Sequence, residues 1–392
     1  IMPSLVGSEM CIRDRNIPNY LLTWEKSYNT NIGIDAAFLN NRIDVSMEYY
    51  NTKTKDVIWN KALPVINGAF SPDGGPKANY TTNLNMCETS NKGFELALNT
   101  RNIITKNFTW SSSVTFNHNK EKITKLSGGD SDVLNNGDTG YALALGEAIN
   151  SYYHYKLDGV WQKGEETDAA VFGAAPGDLK INIPNLVKES DGRFYKIDEE
   201  TGSAAVDENG NVIYYTSDNK YTPSDADYQI LGHNSPDWSL GFQNNFTWKD
   251  FDLSVFVYAR YGQMFAYDML TSYDPKGIRN FPTYFNYWTE NNPSNDFPAA
   301  NANKGLEQYT GYYALRYVDG SFIKIKNITL GYSLPKSILK SAGIEKCRFY
   351  ATITNPFVFA KSHLLKDYDP EMNGSLKYPL TKQFVFGVNV TF

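Results

Sequence analysis

Alternation with a period of two constrains this chain more than any other feature of it. In QFVFGVNVTF, residues 383–392, Phe384, Phe386, Val388, Val390 and Phe392 take every second position, with Val385, Gly387, Asn389 and Thr391 between them. Successive side chains of a strand point to opposite faces, so such a run presents its apolar set as one block. The pattern recurs at Ile32, Ile34, Ala36 and Phe38, turns at LNNR (39–42), and resumes at Ile43, Val45, Met47 and Tyr49. That predicts a hairpin with one apolar and one polar face. A second hairpin joins Phe94, Leu96 and Leu98 to Trp110, Ser112, Val114 and Phe116 through a turn at 101–106. A third turns at Lys249 and Asp250, and a fourth links 321–333 to 346–355 through PKSILKSAGI. In 321–333, Ile323 and Ile325 are out of phase with Ile328, Leu330 and Tyr332, which predicts a β-bulge near Asn327.

Between these hairpins lie long connections rich in Gly, Pro, Asn, Asp and Tyr: 52–90, 119–148, 161–237, 261–320 and 356–380. Short and long connections alternate, so the short turns share one end of a sheet and the long loops the other. An even number of strands must then separate Phe116 from Trp238. SYYHYKLDGVW (151–161) is expected to supply one, with its partner at 179–183. DENGNV (207–212) is not a calcium loop, since Gly210 stands between Asn209 and Asn211 and no Glu closes it at the twelfth position. Asn209-Gly210, flanked by Ala205-Val206 and Val212-Ile213, is expected to be a hairpin turn.

The environment of the apolar face follows from strand length and from where the aromatic residues stand. Aromatics make up 15% of the chain, which favours sheet over helix. A net charge of −6 without any block of like charge argues against nucleic-acid binding and against electrostatic docking on anionic lipid. No run of apolar residues is long enough for a membrane helix, but a spanning strand needs only alternate apolar positions. Strands of about ten or eleven residues, at ~3.3 Å each and ~45° tilt, span ~25 Å, the apolar height of a membrane barrel, whereas soluble strands centre on about five or six. Trp24, Tyr49, Tyr50, Trp110, Trp238, Trp248, Tyr258, Tyr332 and Phe392 stand at strand ends, as interfacial girdles require. Asp35, Asp44, Glu48, Glu95, Asn99, Asp252 and Thr329 fall on the opposite faces and suit a watery lumen. The expected fold is all-β: an antiparallel up-and-down transmembrane β-barrel, not a soluble sandwich with a dry core.

Enzymatic chemistry is not expected. His118, His154, His233 and His363 are isolated, with no HExxH, no phosphate-cradling glycine motif and no G-x-S-x-G. No pair of carboxylates has hydrolase-like spacing, and no cofactor or metal site is implied. Cys87 is expected in a polar loop and Cys347 on an apolar strand face, which supports no disulfide. The stretch LVGSEMCIRD (5–14), with the third cysteine Cys11, resembles a translated sequencing adapter. Residues 1–15 are therefore expected to be an artefact, set apart from the barrel segment 16–392.

Several stretches, in order, resemble the SusC/RagA group of TonB-linked outer-membrane receptors: 22–58, 91–103, 146–162, 319–339, and the ending from YDPEMNG (368–374) to Phe392. The resemblance implies roughly the C-terminal half of a 22-strand barrel with a plugged lumen, located in the outer membrane. The plug and the segment gripped by TonB are expected to lie outside this chain. It implies import of oligosaccharides or peptides beneath a SusD-like surface lipoprotein, with TonB supplying the energy. The closing run Phe384, Phe386, Val388, Val390 and Phe392 looks like the signal read by barrel-assembly machinery. Trp59, Trp161, Trp288, Tyr309, Tyr312 and Tyr313 fall in expected external loops. There they either stack on sugar faces or peptide side chains, or pack the loops against one another. One departure stands out: the family usually follows PGD (176–178) with a compact turn, and this chain runs through about fifty polar residues to Trp238. An alternative from another class is a secreted or surface all-β glycan-binding protein, which would need no lipid.

Overall fold

A computed structural model describes residues 16–62, 81–126, 133–136, 141–272, 283, 285–305, 308–340 and 343–392. The segment 1–15 lies outside them. Nine strands run antiparallel in chain order in one sheet: β1 (Lys26–Phe38), β2 (Ile43–Ala62), β3 (Thr81–Ile104), β4 (Phe108–Leu126), β5 (Trp238–Trp248), β6 (Phe251–Tyr261), β7 (Phe322–Ser333), β8 (Lys346–Ala360) and β9 (Gln383–Thr391), and the short Asn16–Ile17 adds a parallel pairing to the start of β3. Register keeps like with like. Ile34, Met47, Leu96, Phe116, Leu240, Ala259, Ile323 and Phe359 follow one another across β1 to β8. One residue away, Gly33, Glu48, Glu95, Asn117, Ser239 and Arg260 form the matching row on the other face.

Among the described residues no second layer covers the apolar face. Ile34 is 58% exposed, Phe357 52%, Phe359 61% and Phe386 80%. A face this apolar and this bare is solvated by hydrocarbon, not by water. Its two edges carry the rings. Trp238 stacks on Tyr261 at 5.5 Å, and ten residues along β5, Trp248 meets Phe251 at 6.2 Å while Phe251 meets Tyr332 at 4.7 Å. Two residues assigned above to the girdles belong inside. Tyr50 donates its hydroxyl to Asn119 and lies across Gly93, where a Cβ would stand 2.2 Å from the ring. Tyr258 shares the inner face with Gly241 and Lys324. Aromatic rings laid over strand glycines restore the packing that the glycine lacks.

The bulge is at Lys326: Phe256 and Val257 pair with Asn327 and Ile325, leaving Lys326 between them. Two other expectations are corrected. The stretch 52–90 is not a loop at its ends, because β2 runs for 20 residues and β3 for 24, paired as far as Ala62 and Thr81. Cys87 therefore sits in β3, buried with Ile123 and Leu143. These upper strand segments stand above the hydrocarbon, where neither face needs to be apolar, so the alternation fades although the ladder continues. The expected pair of wall strands between Phe116 and Trp238 is also absent. β4 pairs directly with β5, His118 opposite Trp238, so the even number is zero. Lys156–Val160 and Leu179–Asn182 do pair with each other, but off the wall. Parity fixes that a count is even and says nothing of which segments fill it.

The short turns gather at one end and the long connections fold into a loop body at the other. Part of that body is a four-stranded sheet of Gln229–His233, Ser151–His154, Tyr141–Ala144 and Val133–Asn136. The polar insertion after PGD makes a three-stranded sheet, Leu186–Lys188, Phe194–Lys196 and Tyr214–Tyr215. Asn209-Gly210 turns as expected: Val206 bridges Val212, Asp207 N–H donates to Asn211 O at 2.8 Å, and Gly210 has φ +82°. Asp227 ties the insertion down. It is fully buried and accepts from Lys196 Nζ and the Tyr221 hydroxyl, both at 2.6 Å, and from the Ser224 N–H at 2.9 Å. Burial alone would raise its carboxyl, but these donors outweigh it and hold the group below the usual range.

Two outcomes follow. Val257 lies on the lipid face near mid-band, so Val257→Lys should cost about 2–4 kcal/mol when the full-length protein refolds into lipid from urea, while Ser254→Lys on the inner face stays within about 0.5 kcal/mol. Equal costs would mean the faces are misassigned. Because Asp227 has a depressed pKa, its contribution is whole above roughly pH 4 and is lost as pH falls through its lower folded value. Asp227→Asn should therefore lower the protection of amides 186–215 against hydrogen exchange by about 1–3 kcal/mol at pH 7, with the deficit shrinking toward pH 3. A deficit independent of pH would remove the ionic account.

Candidate ligand-contact site in the loop body

Rings dominate the core of the loop body. Phe285 stacks on Phe297 at 4.2 Å, and Trp288, Tyr309, Tyr312 and Leu315 are buried with them. The PGD turn now has a physical reason. Gly177 has φ +96°, and a Cβ there would come within 2.8 Å of the Trp288 ring and of Ala299. Asp178, the next residue, receives Lys304 Nζ at 2.5 Å. On the other side of the turn, Trp288 Nε1 donates to Gln162 Oε1 at 2.9 Å.

Beside this turn is a cavity of about 60 Å³, lined among others by Trp161, Phe172, Ile181, Lys304 and Tyr309. Trp161 stacks on Phe172 at 5.6 Å. Each aromatic wall carries an ammonium: Lys180 Nζ lies 4.5 Å from the Trp161 ring centre, and Lys304 Nζ lies 4.5 Å from that of Tyr309. Cations over ring faces at this range are attracted by the ring quadrupole. Lys180 is held by Glu165 at 2.6 Å, and that hydrogen bond, with the Gln162 N–H, keeps the Glu165 carboxyl below its ordinary range. The space is water-sized, and Trp161 and Tyr309 are themselves buried, so in this conformation the two rings pack the loops against one another. Among the described residues, no group of three His, Cys, Asp or Glu is placed to hold a metal ion.

Of the six aromatic residues singled out in the sequence, Trp161 and Tyr309 line this cavity. Trp288 and Tyr312 are buried in the core beneath it, while Tyr313, beside Tyr312 at 6.3 Å, is 54% exposed. Trp59 stands elsewhere, half-buried on β2 against the small Cys87, Ile123 and Leu143 cluster. The histidines are individually engaged. His154 is sandwiched by Tyr228 at 4.8 Å and edged by Tyr155, and burial followed by the nearby Arg316 charge lowers its pKa. His363 Nε2 meets Asp296 at 2.9 Å, and His118 Nδ1 meets the Asp237 carbonyl at 2.7 Å.

One cluster escaped the sequence reading. Lys324 is fully buried, with Nζ 2.5 Å from Asp369 and 2.8 Å from Glu371, and Lys326 reaches Glu371 at 2.6 Å. Burial pushes the Glu371 carboxyl up, but the two lysines outweigh it and hold it low. This pins YDPEMNG to the wall, and Gly374 completes the fit, since a Cβ there would collide with the Ala266 carbonyl. The signal was present: in FIKIKN every second residue is a lysine on the face opposite the isoleucines, and a charge buried on a strand needs a partner.

The family model described as TonB dependent receptor-like, beta-barrel matches residues 11–174. TonB-dependent receptor P3 of Formosa agariphila is 28% identical over 393 residues, covering 95% of this chain and 34% of that protein. TonB-dependent receptor SusC of Bacteroides thetaiotaomicron is 28% identical over 384 residues, covering 95% of this chain and 32% of that protein. The chain thus spans about a third of the length of the curated relatives it matches. Among solved structures, that of the RagAB peptide transporter superposes with a TM-score of 0.67 at 24% identity, over 94% of this chain and 36% of that one, which supports the fold. An antiparallel wall with a lipid-facing apolar side, the family-model match over residues 11–174 and the superposition on the RagAB peptide transporter agree, and the chain is similar to the β-barrels of TonB-dependent receptors of the outer membrane.

Proposed function

We propose that this chain supplies part of the wall and the outer loops of a TonB-driven importer of oligosaccharides or peptides. A SusD-like surface lipoprotein would cover the loop body, and TonB would act through segments outside this chain. The observation that carries this reading is the asymmetry of the sheet. All its short turns lie at one end, and its long connections fold into one aromatic-cored body at the other. Ligand is held at such a mouth, and passage needs no covalent step. The proposed contact is the cavity between Trp161 and Tyr309, opened by displacement of a wall when ligand enters, since at rest it has room only for water. In the complete receptor, Trp161→Leu with Tyr309→Leu should weaken ligand binding by about 1–3 kcal/mol, the worth of two aromatic contacts. Uptake of labelled oligosaccharide and peptide should disappear when TonB is deleted. Uptake of both that survives without TonB would overturn the importer, and unchanged affinity in a folded double variant would remove the cavity from it.

The terminal strand has a second role in this proposal. Phe384, Phe386, Val388, Val390 and Phe392 present an unbroken apolar edge to lipid, and the barrel-assembly machinery reads it. Phe392→Ser should reduce folded receptor in the outer membrane several-fold while leaving total synthesis constant. Equal amounts of folded receptor would show that the ending is not read.

A further inference from the structure

The connection between β8 and β9, residues 361–382, folds back over the inner face and leaves a larger cavity of about 490 Å³. Asn355 and Val358 of β8 line it from the wall, and Tyr267 and Tyr368, their ring centres 4.3 Å apart, line it from the loops. Lys366, Lys377 and Lys382 also line it, and all three are exposed. Among the described residues none of the three ammonium groups has an ion-pair or hydrogen-bond partner. Their neighbours differ: Lys324 and Lys326 are committed to Asp369 and Glu371, and Lys361 to Asp319 at 2.6 Å. Of the carboxylates lining the cavity, Asp369 is taken by Lys324. Only Asp367 remains to offset three cations.

Three lysines and one uncommitted carboxylate line this cleft, so its net charge is positive, and a concave wall focuses such a field. In a chain whose net charge is −6, this is a local reversal of sign. The volume falls in the range of small-ligand sites, about 300–1,000 Å³. We propose that this cavity binds an acidic oligosaccharide, with the lysines receiving its carboxylate or sulfate groups and the tyrosine pair and the Asn355 amide meeting the ring and its hydroxyls. The inference rests on the importer reading and narrows its cargo from oligosaccharide or peptide to an anionic sugar.

Calorimetry on the complete receptor in detergent tests it, with trigalacturonate, its carboxyl-reduced neutral counterpart and triglutamate as probes. Trigalacturonate should bind. Lys366→Gln, Lys377→Gln and Lys382→Gln together should weaken it at least tenfold, and the corresponding arginine triple should restore most of the affinity. The neutral trisaccharide should be weaker and indifferent to the substitutions, and salt should weaken only the acidic probe. The glutamine triple removes exposed groups without partners, so the fold is expected to stand, which outer-membrane yield and thermal melting verify. Three results would each overturn the proposal: no binding of trigalacturonate, equal binding to the glutamine triple, or tighter binding of triglutamate. Because binding is read without transport, such a failure is distinct from loss of TonB-dependent uptake, which judges the importer itself.

Discussion

Backbone hydrogen bonding in a medium that offers none is the constraint on which this structure depends. Within hydrocarbon every N–H and C=O must find a partner in the protein, and for strands that partner can only be the neighbouring strand. The nine-strand ladder meets this requirement along eleven consecutive pairs between β5 and β6 and again between β4 and β5. Once the ladder is fixed, period two decides everything about the side chains. One face takes Ile, Val, Leu and Phe into lipid, and the other takes Glu, Asn, Ser and Thr inward. The inner polar groups then satisfy one another across strands: Glu95 accepts from Asn117 at 2.9 Å, Thr329 meets Thr352 at 2.9 Å, and Arg348 clasps Asp252 with two hydrogen bonds.

Like charges would otherwise be a liability on that inner face. Glu48 and Glu95 stand directly opposite each other on β2 and β3, a destabilising arrangement for a cross-strand pair. Asn31 and Asn117, one strand further out on either side, donate to them and spread the charge over amides. The buried lysine of β7 presents the opposite problem and has a stronger solution, two carboxylates brought in by a returning loop. A buried ion group of this kind adds little net stability over an apolar equivalent, yet leaving one partner unpaired is costly. Its consequence is positional: YDPEMNG cannot leave the wall without breaking both ion pairs of Lys324 and that of Lys326. The loop between β8 and β9 is thereby fixed against the inner face, which is what gives the lysine-lined cavity a defined shape.

The fold was legible where one face meets lipid and illegible where neither does. Ile32 to Phe38, Phe251 to Val257 and Phe384 to Phe392 alternate because hydrocarbon selects every second residue, so strands, turns and the bulge at Lys326 could be read directly. Above the membrane, TTNLNMCETS continues the same ladder with no such selection, and it read as a loop. Tyr50 and Tyr258 misled for a different reason. They sit at the level of the girdle rings, but on the other face, where packing over Gly93 and alongside Gly241 decides their place. In the loop body, composition marked Trp161 and Tyr309 as candidates without showing that they would share a cavity, because that juxtaposition joins two connections 148 residues apart in sequence. The three unpaired lysines carried no sequence signal at all, since a lysine in a polar loop is ordinary until its neighbours are known.

Ordering long connections costs about 1–2 kcal/mol of backbone entropy per residue, so the loop body needs a core of its own. That core combines aliphatic residues such as Val160, Leu179, Leu270 and Leu365 with Phe, Tyr and Trp, whose large surfaces supply burial at few rotatable bonds. That choice explains why aromatic residues in the loops are mostly structural while still shaping the cavities. A ring such as Trp161 can stack on Phe172 on one side, support Lys180, and border a cavity as well. Polar ends of the same residues close the remaining valences, as Trp288 does with Gln162 and Tyr309 with the Ala299 carbonyl at 3.0 Å. Loops packed this way are ordered by a core of their own, independently of the wall. Rigidity of the mouth and solvation of the wall are thus separate solutions, one from aromatic packing and one from lipid, joined where the strands leave the membrane.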